Sequence, residues 1–150
     1  MDTTFRDRTW KSRFGAMGDE AELAFERYCQ DTNRNYVRFG LNRPPLAVGM
    51  LPTRIRYTPD YLTTHAFVEC QGFGRDQKIK LKLEKLNSLL WWQDVHPVEL
   101  FLWDSKHERH AIVSVRRFLE LLDGAKGTLN TFQEGKAYVE WDAADVFDAS

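Results

Sequence analysis

The sequence predicts an α/β fold with a mixed central β-sheet flanked by helices. Amphipathic helical patterns alternate with β-prone runs along the 150 residues, and this order is typical of helices packed on the faces of a sheet. Residues 97–103 form a near-continuous apolar run, which indicates a central strand covered on both faces. Residues 54–57 and 66–71 are β-prone and flank a polar break, so they predict a hairpin.

Length and composition indicate a single domain. A chain of 150 residues, 43% of them hydrophobic, is long enough to bury a core. We expect a basic arm at residues 1–15, a core at about residues 16–122 and a C-terminal elaboration at residues 123–150. No apolar run approaches the ~20 residues that span a bilayer, so we expect no membrane partner.

The sequence favours a cytoplasmic location, in a bacterium or in a host cell that carries a virus or phage. The N-terminus lacks the apolar segment of a secretory signal. Cys29 and Cys70 lie in apolar patterns, which are typical of buried and reduced thiols. The formal net charge of −1 does not indicate nucleic-acid binding, which would have to depend on local basic patches.

Candidate functional residues appear in the first two segments. Arg13 belongs to the basic arm, which either contacts phosphates or is a solvated tail, and both interpretations stay open. Residues 18–29 have the pattern of an amphipathic helix, on which Glu22 and Glu26 lie one turn apart on the same face. A strand at 36–39 and a loop at 40–52, with three prolines and two glycines, follow.

The predicted hairpin places two carboxylates side by side. Its first strand would deliver Asp60 next to Glu69 on its second strand. Because side chains alternate along a strand, Glu69 and Gln71 share one face, while Cys70 belongs to the opposite, apolar face. Two carboxylates on a rigid sheet suit a hard divalent cation such as Mg²⁺.

A long helix is predicted for residues 76–92. Its core stripe consists of Ile79, Leu83, Leu86 and Leu90. A basic stripe on another face consists of Arg75, Lys78, Lys82 and Lys85. We interpret the basic stripe as a surface that contacts nucleic-acid phosphates beside the carboxylates. The alternative is a solvated face balanced by Asp76 and Glu84.

The remaining pattern predicts three strands and one helix. The strands lie at residues 97–103, 111–115 and 136–141, and the helix lies at 116–122. We expect a polar loop at 126–134, a sheet-edge position for the last strand, and an acidic tail after it. Trp91 and Trp92 are expected in the core, with stacking on nucleic-acid bases as the alternative.

The sequence Pro59-Asp60, followed by Glu69-x-Gln71, resembles the core motif of the PD-(D/E)xK, or restriction-endonuclease-like, nuclease superfamily. Gln71 stands where most members of that superfamily have a lysine. The resemblance covers roughly residues 18–103. It implies a restriction-endonuclease-like core, with elements in the order α-β-β-β-α-β.

The first helix carries a second resemblance. Gly18 and Glu22 have the Gly-x-x-x-Glu spacing found in the first helix of archaeal Holliday-junction resolvases, which belong to the same superfamily. The resemblance implies that Glu22 contacts the metal directly or through water, and Glu26 is the alternative.

This family resemblance implies metal-dependent hydrolysis of DNA phosphodiester bonds. Asp60 and Glu69 would hold Mg²⁺ or Mn²⁺, with the backbone carbonyl of Cys70 as a third ligand. Gln71 would orient the attacking water but carries no charge, and the lysines of the basic stripe are candidates to supply that charge. Two lysines are nearest in sequence, Lys78 and Lys80.

The same resemblance implies duplex or branched DNA as substrate, a four-way junction included, and a homodimer that makes two symmetric cuts. A catalytically inactive nuclease-fold protein that binds nucleic acid or acts in assembly is the alternative. Gln71 favours this alternative, whereas clustered acids, which repel phosphate, argue against it. A globular α/β protein with a small-molecule or protein partner is a third interpretation.

Overall fold

Two β-sheets and their flanking helices make up residues 16–40, 50–123, 128–131 and 135–149, the part of the chain that this computed structural model describes. The predicted arm with Arg13 and most of the predicted loop at 40–52 lie outside these residues. In chain order the elements are α1 (Ala16–Asp31), β1 (Tyr36–Arg38), α2 (Thr53–Arg56), β2 (Tyr61–Thr63), β3 (Phe67–Gly72), β4 (Lys78–Lys82), α3 (Leu83–Gln93), β5 (Val98–Asp104), β6 (Arg109–Ser114), α4 (Val115–Asp123), β7 (Thr128–Thr131), β8 (Ala137–Asp142) and α5 (Ala143–Ala149).

The central sheet has the strand order β1-β2-β3-β5-β6. Strands β1, β2 and β3 are antiparallel, β5 is parallel to β3, and β6 is antiparallel to β5. Parallel neighbours need a crossover connection, and here that connection contains β4 and α3. The prediction of an α/β fold with a mixed central sheet flanked by helices is therefore confirmed.

Different elements cover the two faces of the central sheet. On one face, α1 buries Ala21, Phe25 and Cys29, which follow one another at intervals of one helical turn. Phe25 packs edge-on against Phe101 of β5, with 5.3 Å between the ring centroids. On the other face, Leu100 of β5 belongs to a larger core formed with α3, α4 and the second sheet. The prediction that this strand is covered on both faces is confirmed.

The predicted strand at residues 54–57 is wrong, because α2 occupies this segment. The carbonyl of Pro52, the residue before α2, accepts a hydrogen bond from the Ile55 backbone N–H at 3.0 Å. The indole Nε1 of Trp92 donates to the Arg54 carbonyl at 3.1 Å and fixes α2 on α3. Tertiary packing therefore overrules the β-prone local sequence, and the chain reaches β2 through a loop.

The first part of the helix predicted at residues 76–92 is wrong. In β4, Ile79 and Leu81 are completely buried and the lysines beside them point away from the core, which is the alternation of a strand. Helix α3 begins only at Leu83. The predicted basic stripe is therefore wrong as well. Its members do not lie on one helical face, and they are Arg75, Lys78, Lys82 and Lys85.

The C-terminal residues form part of the main core. The second sheet has the order β4-β8-β7, so β8 is its central strand and the predicted edge position is wrong. Strand β7 lies within the predicted polar loop, and α5 forms where an acidic tail was predicted. Trp141 of β8 is 1% exposed and packs edge-to-face on Phe118 of α4, with 4.4 Å between centroids.

Asp104 at the end of β5 is fully buried and ties three segments together. It accepts hydrogen bonds from Gln77 Nε2 at 3.1 Å and from Arg109 Nε at 2.9 Å, and it contacts His107 Nδ1 at 2.8 Å. Burial alone would raise the pKa of Asp104, but these partners outweigh it and lower the pKa to about 2. We interpret Asp104 as a structural carboxylate.

The two tryptophans at the end of α3 differ in exposure. Trp92 is partly buried against the main core, as expected, but Trp91 is 38% exposed, so the expectation of a core position is wrong for Trp91. Cys29 and Cys70 are buried free thiols, as predicted. Among the described residues, no helix combines the length and the apolar character needed to cross a membrane.

Candidate functional site

The hairpin of β2 and β3 brings Asp60 to Glu69, as predicted. Tyr61 pairs with Val68 in the antiparallel register, so the preceding residue, Asp60, lies opposite Glu69. The Cys70 backbone N–H donates to Asp60 Oδ2 at 2.9 Å. Burial, and then the Glu69 carboxylate, raise the pKa of Asp60 to about 8. The two acids therefore form one electrostatically coupled pair.

The end of β1 fixes the backbone of Asp60. The backbone N–H groups of Phe39 and Gly40 donate to the Asp60 carbonyl at 2.9 and 3.1 Å. A Cβ atom at Gly40 would lie 2.7 Å from the Pro59 carbonyl oxygen, closer than real Cβ contacts. Only a glycine lets β1 pass this close, so Gly40 helps to position the carboxylate.

Glu69 is a buried acid with one satisfied oxygen and one unsatisfied oxygen. The residue is 5% exposed, and its Oε2 lies 2.8 Å from Lys85 Nζ. Its Oε1 is buried and has no hydrogen-bond partner within the part of the chain that the structure describes. An unsatisfied buried carboxylate oxygen is costly, and such an atom often marks a site that receives an ion or a substrate.

Lys85 is the lysine that faces the predicted catalytic strand. Helix α3 lies over the face of β3 that carries Glu69 and Gln71, and Lys85 Nζ donates to Gln71 Oε1 at 3.2 Å. Burial lowers the pKa of Lys85, but the Glu69 carboxylate more than compensates, so the pKa lies above its usual value. The ammonium is therefore charged at neutral pH.

The two lysines nearest in sequence do not take this position. Lys78 pairs with Glu140 at 3.4 Å and Lys80 pairs with Asp76 at 3.3 Å, both on the outward face of β4. The expectation that one of them compensates for Gln71 is wrong. Nearness in sequence did not predict nearness in space, because β4 leads the chain away from the site and α3, which carries Lys85, returns to it.

Glu22, rather than Glu26, is the helix acid that faces Asp60. Arg38 NH1 lies 3.0 Å from Glu22 Oε2, and Arg38 NH2 lies 3.7 Å from Asp60 Oδ1. Burial raises the pKa of Glu22, and the Arg38 hydrogen bond opposes this shift. Glu26 instead accepts hydrogen bonds from Tyr61 at 2.5 Å and from a second tyrosine hydroxyl at 3.2 Å.

The residues predicted to contact DNA do not come together. Arg75 is exposed, and Lys78 is engaged with Glu140 on β4. Lys85 is largely buried beside Glu69, with 18% of its side chain exposed. Lys82 ends β4, and Arg13 lies outside the described residues. A continuous basic surface is therefore not formed by the members of the predicted stripe.

The carboxylates have the chemistry to bind a divalent cation, although two cationic side chains, Arg38 and Lys85, already lie beside them. Asp60 and Glu69 offer the oxygen donors that Mg²⁺ and Mn²⁺ prefer, and Glu69 Oε1 has no other partner. Within the described residues, no three His, Cys, Asp or Glu side chains converge closely enough to hold a metal. The Cys70 carbonyl stays a predicted third ligand.

Sequence reasoning missed Arg38 entirely, and it counted Lys85 among the lysines of the basic stripe without singling it out as the one beside Gln71. The signal for Arg38 was its place in the Tyr-Val-Arg strand beside the helix that carries Glu22.

Comparison of the chain with protein-family models, curated proteins and solved structures gave no match. The interpretation of the site therefore depends on its own geometry.

Proposed function

We propose that this chain is a metal-dependent DNA endonuclease of the PD-(D/E)xK kind, which hydrolyses phosphodiester bonds. The observation that carries the proposal is the buried Glu69 carboxylate. One of its oxygens faces the Lys85 ammonium at 2.8 Å, the other has no partner, and Asp60 lies across the hairpin. A structural ion pair would not need to leave a buried oxygen unsatisfied.

The sheet topology supports the proposal. Helix α1 is followed by the antiparallel strands β1, β2 and β3, then by a connection with α3, and then by β5 parallel to β3. This order is compatible with the α-β-β-β-α-β order implied by the family resemblance if α2, between β1 and β2, and β4, before α3, are insertions. Asp60 and Glu69 lie in its hairpin, where the motif would place them.

Lys85 supports an active site rather than a degenerate one. The main objection to activity is that Gln71 carries no charge and cannot stabilise negative charge on the reacting phosphate. Lys85 reaches both Glu69 and Gln71 from α3, so a cation is present at the end of β3 although the motif position lacks it. We propose that Lys85 takes the role of the family lysine.

Four side chains of the site would have different roles in phosphodiester hydrolysis. Asp60 and Glu69 would hold Mg²⁺ or Mn²⁺, which supplies Lewis-acid charge to neutralise the phosphate oxygens. The Lys85 ammonium would lie beside the reacting phosphate and stabilise its added negative charge. The Gln71 amide would orient the attacking water by hydrogen bonding. Glu69 is buried and the side chains of Asp60 and Lys85 are 18% exposed, which strengthens their interactions because fewer waters screen them.

The substrate is proposed by analogy. A small domain with the Gly-x-x-x-Glu helix is similar to junction-resolving nucleases, so we propose branched or duplex DNA as substrate and a homodimer as the active form. One observation favours an inactive binding protein instead. Arg38 and Lys85 already pair with Glu22 and Glu69, which would let the acids persist without a metal.

Cleavage of labelled DNA tests the proposal. A four-way junction, a linear duplex and a single strand of the same sequence are incubated with the protein and Mg²⁺ or Mn²⁺, beside Asp60→Asn and Glu69→Gln. We expect metal-dependent cutting that each substitution reduces by at least about 100-fold. DNA binding without cutting, equal in all three proteins, would favour the inactive alternative.

A further inference from the structure

Arg38 occupies the space between two of the three clustered carboxylates. Its NH1 and NH2 atoms lie 3.0 and 3.2 Å from the two oxygens of Glu22, which is the bidentate arrangement of a strong ion pair. Its NH2 also lies 3.7 Å from Asp60 Oδ1. The guanidinium therefore lies where a cation shared by Glu22 and Asp60 would bind.

The surrounding residues hold Arg38 in this position. Its guanidinium carbon lies 5.0 Å from the centre of the Tyr61 ring, and its NH1 donates to the Tyr61 hydroxyl at 3.3 Å. That hydroxyl in turn donates to Glu26 at 2.5 Å. The side chain of Arg38 is 27% exposed. An arginine with these contacts is a fixed part of the site.

On its other side, Asp60 faces Glu69, which still has an oxygen without a hydrogen bond. There Glu69 presents the buried Oε1 that has no partner, and Lys85 holds only Oε2. Asp60 Oδ2 accepts the Cys70 N–H, which leaves Oδ1 with the long Arg38 contact alone. Among the described acids of the cluster, the oxygens that lack a hydrogen bond are therefore Glu69 Oε1 and Asp60 Oδ1.

The charges of the cluster point to one ion. Metal ligation requires ionised Asp60 and Glu69, and Glu22 is the anion paired with Arg38, so these three acids carry three negative charges while Arg38 and Lys85 carry two positive ones. One divalent ion together with one phosphodiester group brings the cluster to neutrality. A second divalent ion would add two further positive charges beside Arg38 and Lys85, which is unfavourable in a largely buried site.

We propose that the site takes a single divalent cation between Asp60 and Glu69, that Arg38 fills the place of a second cation, and that Glu22 is the anion of Arg38 rather than a metal ligand. This inference depends on the proposed metal site. It departs from the family expectation for Glu22 and assigns Arg38 as a positioning residue, which acts through the carboxylates.

Counting bound Mn²⁺ tests the inference. The full chain is titrated with MnCl₂, and bound ions are counted by calorimetry and by the loss of the electron paramagnetic resonance signal of free Mn²⁺. We expect one ion per chain. Glu69→Gln should weaken binding by more than about 100-fold, whereas Glu22→Gln should keep one ion and weaken its binding by about 10-fold, and by less than about 100-fold, as for residues outside the ligand set.

Substitution of Arg38 gives an independent result. Arg38→Met should open the space between Glu22 and Asp60, so a second, weaker ion binds. Arg38→Lys keeps the charge and should bind one ion. Arg34→Met is the matched control, because Arg34 pairs with Glu99 at 4.0 Å, away from the cluster. Melting curves confirm that each variant is folded.

Three results would overturn the inference. Two ions on the wild-type chain would refute the single-ion site while leaving the proposed function intact. Loss of binding in Glu22→Gln equal to that in Glu69→Gln would make Glu22 a ligand, and a single ion on Arg38→Met would remove the role assigned to Arg38. No Mn²⁺ binding to the wild-type chain would refute the metal site itself, and the proposed function with it.

Discussion

Lys85 is the residue on which the candidate site depends most. Replacement by methionine keeps the length of the side chain but leaves the buried Glu69 carboxylate without its cation. We expect Lys85→Met to lose about 3 kcal/mol of unfolding free energy at pH 7.5, because breaking a buried ion pair leaves an uncompensated charge. We also expect DNA cleavage to fall by about 10²–10³-fold.

Chemical denaturation and single-turnover cleavage measure these two effects. Lys80→Met is the matched control, since Lys80 is exposed and pairs only with Asp76 within the described contacts. An exposed pair of this kind contributes at most about 1 kcal/mol. A Lys85→Met variant that cuts DNA as fast as the wild type would show that Lys85 has no catalytic role.

The raised pKa of Asp60 predicts a pH-dependent stability. The pKa is 3.8 in an ordinary environment and about 8 in the folded chain, so the folded state binds the proton more tightly than the unfolded state does. The stabilisation from protonated Asp60 is complete below pH 3.8 and is lost as pH rises through about 8. The metal-free protein should therefore lose stability between pH 5 and pH 8.

Urea unfolding in EDTA at pH 5, 6.5 and 8 measures this loss. Asp60→Asn cannot ionise, so its stability should fall less than that of the wild type over the same interval. One pKa unit corresponds to about 1.4 kcal/mol, and a difference of at least that size is expected. Parallel pH profiles for the two proteins would mean that Asp60 has an ordinary pKa.

At the scale of elements, the close approach of β1 to the start of β2 determines where Asp60 lies. Gly40→Ala would introduce a Cβ atom 2.7 Å from the Pro59 carbonyl oxygen, and both partners of this contact are backbone. We expect a destabilisation of about 1–3 kcal/mol, the usual cost of forcing backbone shifts, together with reduced metal binding.

Thermal melting and Mn²⁺ titration of Gly40→Ala check this prediction. Gly74→Ala is the comparison, because its Cβ atom would meet the flexible end of the Asp76 side chain, at 2.8 Å, which can move away. Equal stability and equal Mn²⁺ affinity of Gly40→Ala and the wild type would show that β1 does not position Asp60.

The elements that the sequence predicted correctly are those whose patterns are local and unambiguous. The helix that carries Glu22 and the buried strand β5 follow directly from helical spacing and from a continuous apolar run. The nearness of Asp60 to Glu69 was also predicted from a short turn, although the first strand of the hairpin is β2, which follows Asp60, and not the predicted strand at 54–57.

The segment from β4 to α3 was not predictable in the same way. Ile79, Leu83, Leu86 and Leu90 are spaced as on a helix, but Lys-Ile-Lys-Leu-Lys also alternates as in a strand. Pairing of β4 with β8, about 60 residues later, decides between the two patterns. The position of Lys85 follows from this tertiary choice, and so local sequence did not reveal it.

At the scale of the whole molecule, the charged cluster involves both faces of the central sheet. Helix α1 brings Glu22 to one face of the central sheet, and α3 brings Lys85 to the other. Both helices are fixed by buried apolar side chains, so the charges are held in place before any ligand arrives. Such preorganisation is what electrostatic catalysis requires.

The proposed activity requires that Asp60 and Glu69 bind a divalent cation. The melting temperature with and without Mg²⁺ or Mn²⁺ tests it for the wild type, Glu69→Gln and Glu120→Gln, an exposed acid paired with Arg117 at 3.0 Å. At ten times the Kd, binding to the folded state adds about 1.4 kcal/mol and raises the melting temperature by about 3–5 °C. We predict this rise for the wild type and Glu120→Gln and no rise for Glu69→Gln. No rise in the wild type, or an equal rise in all three proteins, would contradict the claim.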